Sequence, residues 1–517
     1  MLRLLVRGDS CEGVIYIMTR ISRIVYRGLA FASVLSLTLS AAAQVKPDLY
    51  AGLKWRNVGP FHGGRISSVT GVVGQSGVFY FGTPLGGIWK TTSAGVTWFP
   101  IFDQETSVDS IGAVEVAPSD PQIVYAGAGD PIGGSLGNGV WKSNDAGKTW
   151  QHIGLDDTVK IDRILVDPSN PNLVIVSALG DDTHHGGGIY RSTDGGQTWT
   201  NVLKPDGYDG TRGLEYAYDE PNVMLADTQG TGGGFSRGPG PQPKAKPPLV
   251  FKSTDEGKTW TQIKIPPFPG RVGVAIAMHS DGQRIYIIGN SIENGSGLFR
   301  SDDGGSTWQH MAGRDTRISN GQGAYSCGVF VDSNNPDIIY TVSTAMYRST
   351  DGGVTFHVFK GAPGGEDYHE VWIDPTNGKR MVIGADQGAS VTLDGGETWS
   401  LWYTQPISQV YHIATDSQYP YWIMASQQDT GAVMISSRGN FGQINFTDWS
   451  PLPSSEFGVI TPDPVNPHIL YGVGYGPGGG GGSGLIKINM TTGQWENVAP
   501  NFGADADKYR GSRDFQK

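Results

Sequence analysis

One eight-residue motif recurs along this chain and constrains its fold more than any other feature. The motif reads Ser/Thr-x-Asp-x-Gly-x-Thr-Trp, with Phe356 replacing the tryptophan in one copy. The aspartate of such a motif accepts hydrogen bonds from the backbone of its own turn, and the glycine takes a positive φ without steric cost. The tryptophan adds a large apolar side chain behind the turn. Six copies begin at Ser143, Ser192, Ser253, Ser301, Ser349 and Thr392, and an altered copy with Ser93 in place of the aspartate begins at Thr91.

These copies, which we call Asp boxes, are spaced as the blades of a β-propeller are. They begin roughly 40 to 60 residues apart, the length of a four-stranded blade. Between them lie pairs of β-branched and aromatic runs joined by Pro/Asn/Asp turns, as in Ile164–Gly180 and Val329–Ser343, and such runs predict strands. Nine such pairs begin near Val69, Val114, Ile164, Glu215, Val274, Val329, Val371, Val410 and Val459. The sequence therefore predicts an all-β fold.

The repeats also predict the domain organisation. We expect a seven-bladed propeller of Asp-box repeats over 50–405 and the opening blades of a second, incomplete propeller over 406–517. The last two repeats keep only remnants of the box, at Ser436–Trp449 and Asn489–Val498. Two repeats cannot close a ring, so either the chain is a fragment of a two-propeller protein or all nine repeats form one larger ring. The charged ending Asp507–Lys517 favours a fragment, and the glycine-rich stretches Thr228–Pro248 and Gly476–Gly484 predict loops.

The N-terminus predicts export. A segment with three arginines precedes the apolar run Leu29–Leu39, which ends in Ala41–Ala43, and this order is typical of a signal peptide over residues 1–43. Met18 is better placed than Met1 as its start. The apolar run is too short to anchor the chain across a bilayer, so we expect a periplasmic or secreted protein without a membrane span. Removal of this segment would leave Cys327 alone and exclude an internal disulfide.

Composition and motifs exclude several function classes. The net charge is −11 and the chain has no basic block, which argues against a nucleic-acid partner. We find neither a phosphate-binding G-x-x-x-x-G-K-[ST] sequence nor a Cys/His zinc pattern, so no cofactor and no metal are predicted.

Two positions near the start of each innermost strand are the first candidates for a ligand site. Across the repeats these positions hold mixed and partly charged residues, whereas positions facing the core would be uniformly apolar. They predict a polar funnel at the mouth of the central channel, although a merely solvated channel wall has the same composition. The candidate ligand-binding residues are Arg65, Arg212, Arg271 and Tyr325.

The segment Gly365–Glu370 holds the densest group of ionisable residues beside an inner strand. Its candidates for acid–base catalysis are Asp367, His369 and Glu370. Carboxyl groups can act as acid and base when their surroundings separate their pKa values. A structural or solvent-facing role explains the same residues equally simply, and the aspartates of the boxes are expected to be structural.

The Asp boxes and the repeat length resemble three groups of propeller proteins: sialidases, sortilin-type receptor domains and family 74 glycoside hydrolases. The opening Leu53–Thr92 is similar to the first blade of the family 74 xyloglucanases. This resemblance implies two seven-bladed propellers around a cleft, a polysaccharide ligand and hydrolysis by two carboxylates. In one respect the chain departs from the family. Pro84 stands where that family has a catalytic aspartate in a Thr-Asp-x-Gly-Gly segment, and proline can neither ionise nor donate a proton.

Two functions follow as expectations. The first is an exported, xyloglucanase-like protein that binds or hydrolyses polysaccharide. The alternative is a non-catalytic, sortilin-like propeller that binds peptides or partner proteins, and Pro84 favours it. Arg65, Arg212 and Arg271 could also form an arginine cluster for a carboxylate, as in sialidases.

Overall fold

The computed structural model describes residues 50–499 except 55, 133–134, 182, 229–245, 269, 291, 293–294, 320–326, 362–365, 457 and 475–483. By its contacts the chain divides into two units, Met1–Asn57 and Val58–Lys517. In the first unit a turn is closed by the N–H of Leu53, which donates to the carbonyl of Tyr50 at 2.9 Å. The predicted signal peptide, the end of the chain and most of both glycine-rich loops lie outside the described residues.

The second unit is built from antiparallel strands. Within the described residues nine sheets follow one another, and in each sheet neighbouring strands are consecutive in the chain. Sheets one to three contain β1 (Ser68–Gly71), β2 (Phe79–Gly82), β3 (Ile88–Thr91) and β4 (Phe99–Pro100), then β5 (Ile111–Val116), β6 (Val124–Ala128), β7 (Val140–Ser143) and β8 (Gln151–His152), then β9 (Lys160–Val166), β10 (Val174–Leu179), β11 (Gly188–Ser192) and β12 (Thr200–Leu203). Sheets four to six contain β13 (Leu214–Ala217), β14 (Glu220–Asp227), β15 (Val250–Ser253) and β16 (Thr261–Ile263), then β17 (Val272–Ile276), β18 (Ile285–Gly289), β19 (Leu298–Ser301) and β20 (Gln309–His310), then β21 (Gly328–Val331), β22 (Ile339–Val342), β23 (Met346–Ser349) and β24 (His357–Lys360).

The last three sheets complete the described chain. They contain β25 (Tyr368–Asp374), β26 (Asn377–Ala385) and β27 (Gly388–Thr392), then β28 (Val410–Thr415), β29 (Trp422–Gln427), β30 (Gly431–Ser436) and β31 (Trp449–Leu452), then β32 (Thr461–Pro462), β33 (Ile469–Gly474), β34 (Gly484–Asn489) and β35 (Gln494–Asn497). Short 3-10 helices occupy Thr316–Ser319, Trp402–Thr404 and Phe446–Asp448. The predicted all-β class is confirmed.

Each Asp box forms the turn that its sequence predicts. In the second sheet, Asp145 accepts hydrogen bonds from the N–H of Thr149 at 2.8 Å and from its hydroxyl at 2.6 Å. Gly147 has a φ of 90°, and the indole N–H of Trp150 donates to the carbonyl of Ile101 at 2.9 Å. Because Ile101 follows β4, the box tryptophan ties its own sheet to the preceding one.

The first seven sheets are joined in a closed cycle by apolar clusters. Each cluster combines side chains of two successive sheets, as in the cluster of Ile111 with Tyr80. The seventh cluster packs Val382 and Val391 of sheet seven against Phe79 and Phe81 of sheet one. This closure favours the predicted ring of seven blades. We call sheets one to seven the ring.

Arg380 reinforces the closure with polar contacts. This buried residue of β26 donates to the carbonyls of Val72 at 3.1 Å and Gln75 at 2.8 Å, which lie in the turn of sheet one. Its guanidinium also pairs with the buried carboxylate of Asp374 at 2.7 Å. Sheets seven and one are therefore held together although their strands are far apart in sequence.

Sheets eight and nine share an apolar cluster of their own, which includes Met424 and Leu470. On the ring side, His62 pairs with Pro406 in a parallel bridge, and the hydroxyl of Ser408 donates to the carbonyl of His62 at 3.1 Å. Ile413 lies on β28, the first strand of sheet eight, and is 66% exposed. The domain boundary at residue 405 stays a prediction.

Candidate functional site at the mouth of the ring

Aspartates gather where the second strands of several sheets end. Asp227 ends β14, whereas Asp130, Asp386 and Asp429 follow β6, β26 and β29 within two residues. In an antiparallel sheet the end of the second strand lies beside the start of the first. These aspartates therefore meet the residues that begin the innermost strands. We call this end of the ring the mouth.

The first group at the mouth pairs sheets one and two. The Arg65 guanidinium contacts the carboxylate of Asp130, which is fully buried. The second oxygen of Asp130 accepts from the N–H of Ile132 at 3.0 Å. Arg65 is therefore held in place by a buried, hydrogen-bonded carboxylate.

The second group joins sheets three to six. Arg212 is 1% exposed, and its Nε donates to Asp162 at 3.2 Å. Burial opposes ionisation of Asp162, but the guanidinium groups of Arg212 and Arg271 hold its pKa below the ordinary value. Burial raises the pKa of Asp227 to about 7 and that of the neighbouring Cys327 thiol to about 12.

The third group links sheet seven to sheet eight. His369 and Asp386 are buried, and His369 Nε2 lies 2.7 Å from Asp386 Oδ1. The carboxyl of Asp386 also lies close to that of Asp429. Burial, with the charge of Asp386, raises the pKa of Asp429 to about 7, so this pair holds a proton close to neutral pH.

Further polar groups of sheet eight surround Asp429. The amide of Gln428 donates to Asp429 Oδ1 at 2.9 Å, and the N–H of Asp429 donates to Glu456 at 2.7 Å. The hydroxyl of Tyr411 contacts Gln428 Oε1. Burial and the nearby carboxylates raise the pKa of Tyr411 to about 12, so its hydroxyl stays protonated.

Aromatic rings lie beside this junction. Tyr403 stacks on Trp449 with ring centroids 6.3 Å apart and an interplanar angle of 23°. His62 of the ring meets Tyr403 edge-on at 5.3 Å. Tyr403 is 39% exposed. Tyr411, whose hydroxyl contacts Gln428 next to Asp429, is 38% exposed.

A separate cluster lies deeper, in the channel along the ring. Glu370 contacts the guanidinium of Arg163, and Glu215 Oε1 lies 3.9 Å from Arg163 Nε. Glu115 accepts from the hydroxyl of Thr70 at 3.1 Å. Desolvation in the channel raises the pKa of Glu115 to about 8 and that of Glu215 to about 7, although the charge of Arg163 opposes both shifts.

The structure separates the residues that the sequence placed together. His369 points to the mouth and contacts Asp386, whereas its neighbour Glu370 lines the channel. Asp367 is half-buried with a φ of 47°, and its carbonyl accepts from the N–H of Asp386 at 3.2 Å. Arg212 and Arg271 share one group and Arg65 another, while Tyr325 lies outside the described residues. The roles of all seven residues stay predictions.

Sequence reasoning missed most of the carboxylates of both clusters. Asp130, Asp227 and Asp386 lie at or within two residues of the end of a second strand, and Pro84 follows β2 by two residues. This recurrence is visible in the sequence once strand ends are known. Glu115 and Glu215 had a clearer signal, since each interrupts an otherwise apolar inner strand, whereas the strand of Arg163 also contains Lys160 and Asp162.

Comparison with known proteins places the chain among related propellers. The BNR/Asp-box repeat family matches residues 190–201, which form one of the boxes. A xyloglucanase of Hypocrea jecorina is 27% identical over 380 residues, covering 62% of this chain and 41% of the relative. A xyloglucanase of Acetivibrio thermocellus is 24% identical over 375 residues, covering 64% of this chain and 42% of the relative.

The chain carries the Asp-box repeat and is similar to xyloglucanases. It spans about two fifths of the length of these two relatives. The crystal structure of a GH74 enzyme from Niastella koreensis superimposes with a TM-score of 0.60 at 18% identity, covering 86% of this chain and 68% of that structure. This likeness confirms the β-propeller fold.

Among the described residues, no group of three or more His, Cys, Asp and Glu side chains is arranged to hold a metal ion. In the same part of the chain, no helix has the length and apolar character needed to cross a membrane.

Proposed function

We propose that this chain is an exported, xyloglucanase-like protein that acts on polysaccharide at the mouth of its ring. The observation that carries the proposal is the carboxyl pair of Asp386 and Asp429, which links sheets seven and eight near the partly exposed ring of Tyr411. The xyloglucanase relatives support a polysaccharide as the ligand. The signal-like N-terminus supports export.

The pair has the chemistry that glycoside hydrolysis needs. A carboxyl group that keeps its proton near neutral pH can protonate the leaving oxygen, while a second carboxylate acts as base or nucleophile. With its pKa of about 7, Asp429 suits the acid role. The pair then supplies the carboxyl group that Pro84 cannot supply.

The substrate must fit between the two carboxyl groups, which are about 5 Å apart in retaining glycosidases. A sugar bound beside Tyr411 and Asp429 would also meet the carboxylate of Glu456, which accepts from the N–H of Asp429.

A polysaccharide panel tests the proposal. The purified protein would be incubated with xyloglucan, mixed-linkage glucan, cellulose, xylan and sialylated glycans, and binding and reducing-end release would be measured together. We expect release from a β-glucan, and Asp429→Asn to lower its rate by about 100-fold or more. The matched control is Asp463→Asn, an aspartate of a sheet-nine turn that accepts backbone N–H groups at 2.9 Å.

The panel also tests the alternative. Pro84 favours a propeller that binds without catalysis. Binding without release would identify a lectin-like protein, and the hydrolytic part of the proposal would be wrong. A folded protein that neither binds nor cleaves any of the glycans would contradict the proposal and favour peptides or partner proteins as ligands.

A further inference from the structure

The channel of the ring contains a cavity that the proposed function does not use. The cavity has a volume of ≈ 210 Å³, and the first strand of each of the seven ring sheets contributes to its wall. The channel side chains of Arg163 and Glu215 are 21% and 31% exposed, so solvent reaches them. The cavity is therefore a site into which a small group can enter.

The charges of the cavity are unbalanced. Three carboxylates, those of Glu115, Glu215 and Glu370, surround the single guanidinium of Arg163. Arg163 contacts Glu370 directly but lies 3.9 Å from Glu215, and Glu115 has a threonine hydroxyl as its partner. Burying an uncompensated carboxylate is unfavourable, so Glu115 and Glu215 have raised pKa values and hold protons near neutral pH. A second cation in the cavity would favour their ionised forms.

The cavity wall also has aromatic surface next to the acids. Tyr216 and Tyr218 stack with centroids 6.4 Å apart, and Trp372 and Phe330 line the same cavity. Flat, weakly hydrated cations such as guanidinium bind well on aromatic faces. An apolar wall suits the alkyl stem that carries such a group, whereas a bare metal ion gains nothing from it.

We propose that the channel binds one alkyl cation, a guanidinium or ammonium group on an aliphatic stem, between Glu115 and Glu215. The chain itself already places one such group in the channel, because the guanidinium of Arg163 contacts the carboxylate of Glu370 there. The cation is either a free small molecule or the side chain of a basic residue in a peptide. The site is distinct from the carboxyl pair at the mouth.

Calorimetry with defined probes tests the proposal. The intact protein would be titrated with butylguanidinium chloride and with butylurea, which has nearly the same shape and no charge. We expect butylguanidinium to bind at least about 10-fold more tightly, because only the charged probe compensates the carboxylates. Titration in two buffers of different ionisation enthalpy should reveal proton release near pH 7, since the bound cation favours ionised Glu115 and Glu215.

Variants locate the site. Glu215→Gln and Glu115→Gln should each weaken butylguanidinium binding about 10-fold. Glu397→Gln is the matched control, because Glu397 is exposed in a box turn, and it should leave affinity unchanged. Two independent channel variants keep the test valid if one fails to fold, which thermal unfolding would reveal.

The outcomes distinguish a peptide side chain from a free small molecule as the source of the cation. They also distinguish this inference from the proposed action on polysaccharide. Binding of both butylguanidinium and acetyl-Ala-Arg-Ala-amide would identify a peptide side chain, and binding of butylguanidinium alone a free small molecule. Equal binding of butylguanidinium and butylurea, no binding at all, or affinity indifferent to both channel variants would overturn the inference. Polysaccharide release is measured separately, so its failure leaves this result unaffected.

Discussion

The guanidinium of Arg163 contacts the carboxylate of Glu370 across the channel of the ring. Arg163 lies on the first strand of sheet three and Glu370 on that of sheet seven, and at least two sheets separate these in either direction around the ring. An ion pair between sheets that are not neighbours fixes the ring across its centre. Because Glu370 is already paired with Arg163, its role in the structure does not require a substrate.

Glu370→Gln should therefore reduce stability more than catalysis. Loss of the partner leaves Arg163 partly buried, with Glu215 at 3.9 Å instead of a direct contact, and we expect a loss of about 1–3 kcal/mol in the free energy of unfolding. Urea unfolding would measure this loss, and reducing-end assays would measure release. If release falls 100-fold at unchanged stability, Glu370 is catalytic and the assignment to Asp386 and Asp429 is wrong.

Asp386→Asn should lower the pKa of Asp429. Burial is the largest cause of its raised pKa and stays in place, but the negative neighbour is removed and an amide can donate to the ionised carboxylate. If polysaccharide release requires protonated Asp429, the rate should begin to fall at a lower pH in the variant than in the unchanged protein. A pH–rate profile measures the shift, and an unaltered alkaline limb would show that another group controls it.

Stability should be greatest on the acid side of neutrality. The box aspartates Asp145 and Asp255 have pKa values of about 2, because the turn donates hydrogen bonds to their ionised forms, so this stabilisation is lost as the pH falls below about 4. Glu115, Asp227 and Asp429 have raised pKa values of about 7 to 8. They bind more protons in the folded state, so stability declines as the pH rises from about 4 towards 8.

Thermal unfolding between pH 3 and pH 9 would check this profile. We expect the highest Tm near pH 4 to 5 and a smaller alkaline decline in Glu115→Gln, which has no carboxylate to ionise there. A Tm that rises steadily up to pH 8 would contradict the assignment of raised pKa values.

Ser93→Asp should stabilise the protein. Ser93 accepts from the N–H of Thr97 at 3.0 Å and meets its hydroxyl at 2.9 Å, so the altered box keeps the turn with a single oxygen. An aspartate would accept both donors with separate oxygens, as Asp145 does. We expect a gain of about 0.5–1 kcal/mol by urea unfolding. Ser93→Ala is the control and should destabilise.

Arg380→Ala should open the junction of sheets seven and one. The substitution leaves buried Asp374 without its guanidinium and several carbonyls of the sheet-one turn without their donor, at a cost of about 3–5 kcal/mol. Arg300→Ala, which removes a more exposed arginine bonded to Gly352, should cost about 1 kcal/mol or less. Urea unfolding of both variants measures the difference, and similar losses would show that the closure does not depend on Arg380.

Much of the fold was predictable because its signals are local. The octapeptide encodes a turn by itself, through an acceptor, a glycine and an aromatic residue within eight positions, and β-branched runs mark the strands between the boxes. The turn at Asp145 and the positive φ of Gly147 match that expectation. The candidate site was less predictable, because most of its contacts join residues of different sheets, such as Asp386 of sheet seven and Asp429 of sheet eight.

The sequence by itself determined the repeating turns, the strands and the all-β class, since each depends on residues that are neighbours in the chain. Only the tertiary structure decided which charges meet. It brought Asp429 of sheet eight to Asp386, carried Arg163 across the channel to Glu370, and separated His369 from the adjacent Glu370. The pKa values of these groups follow from burial and from such distant partners, and both exist only once the ring is closed.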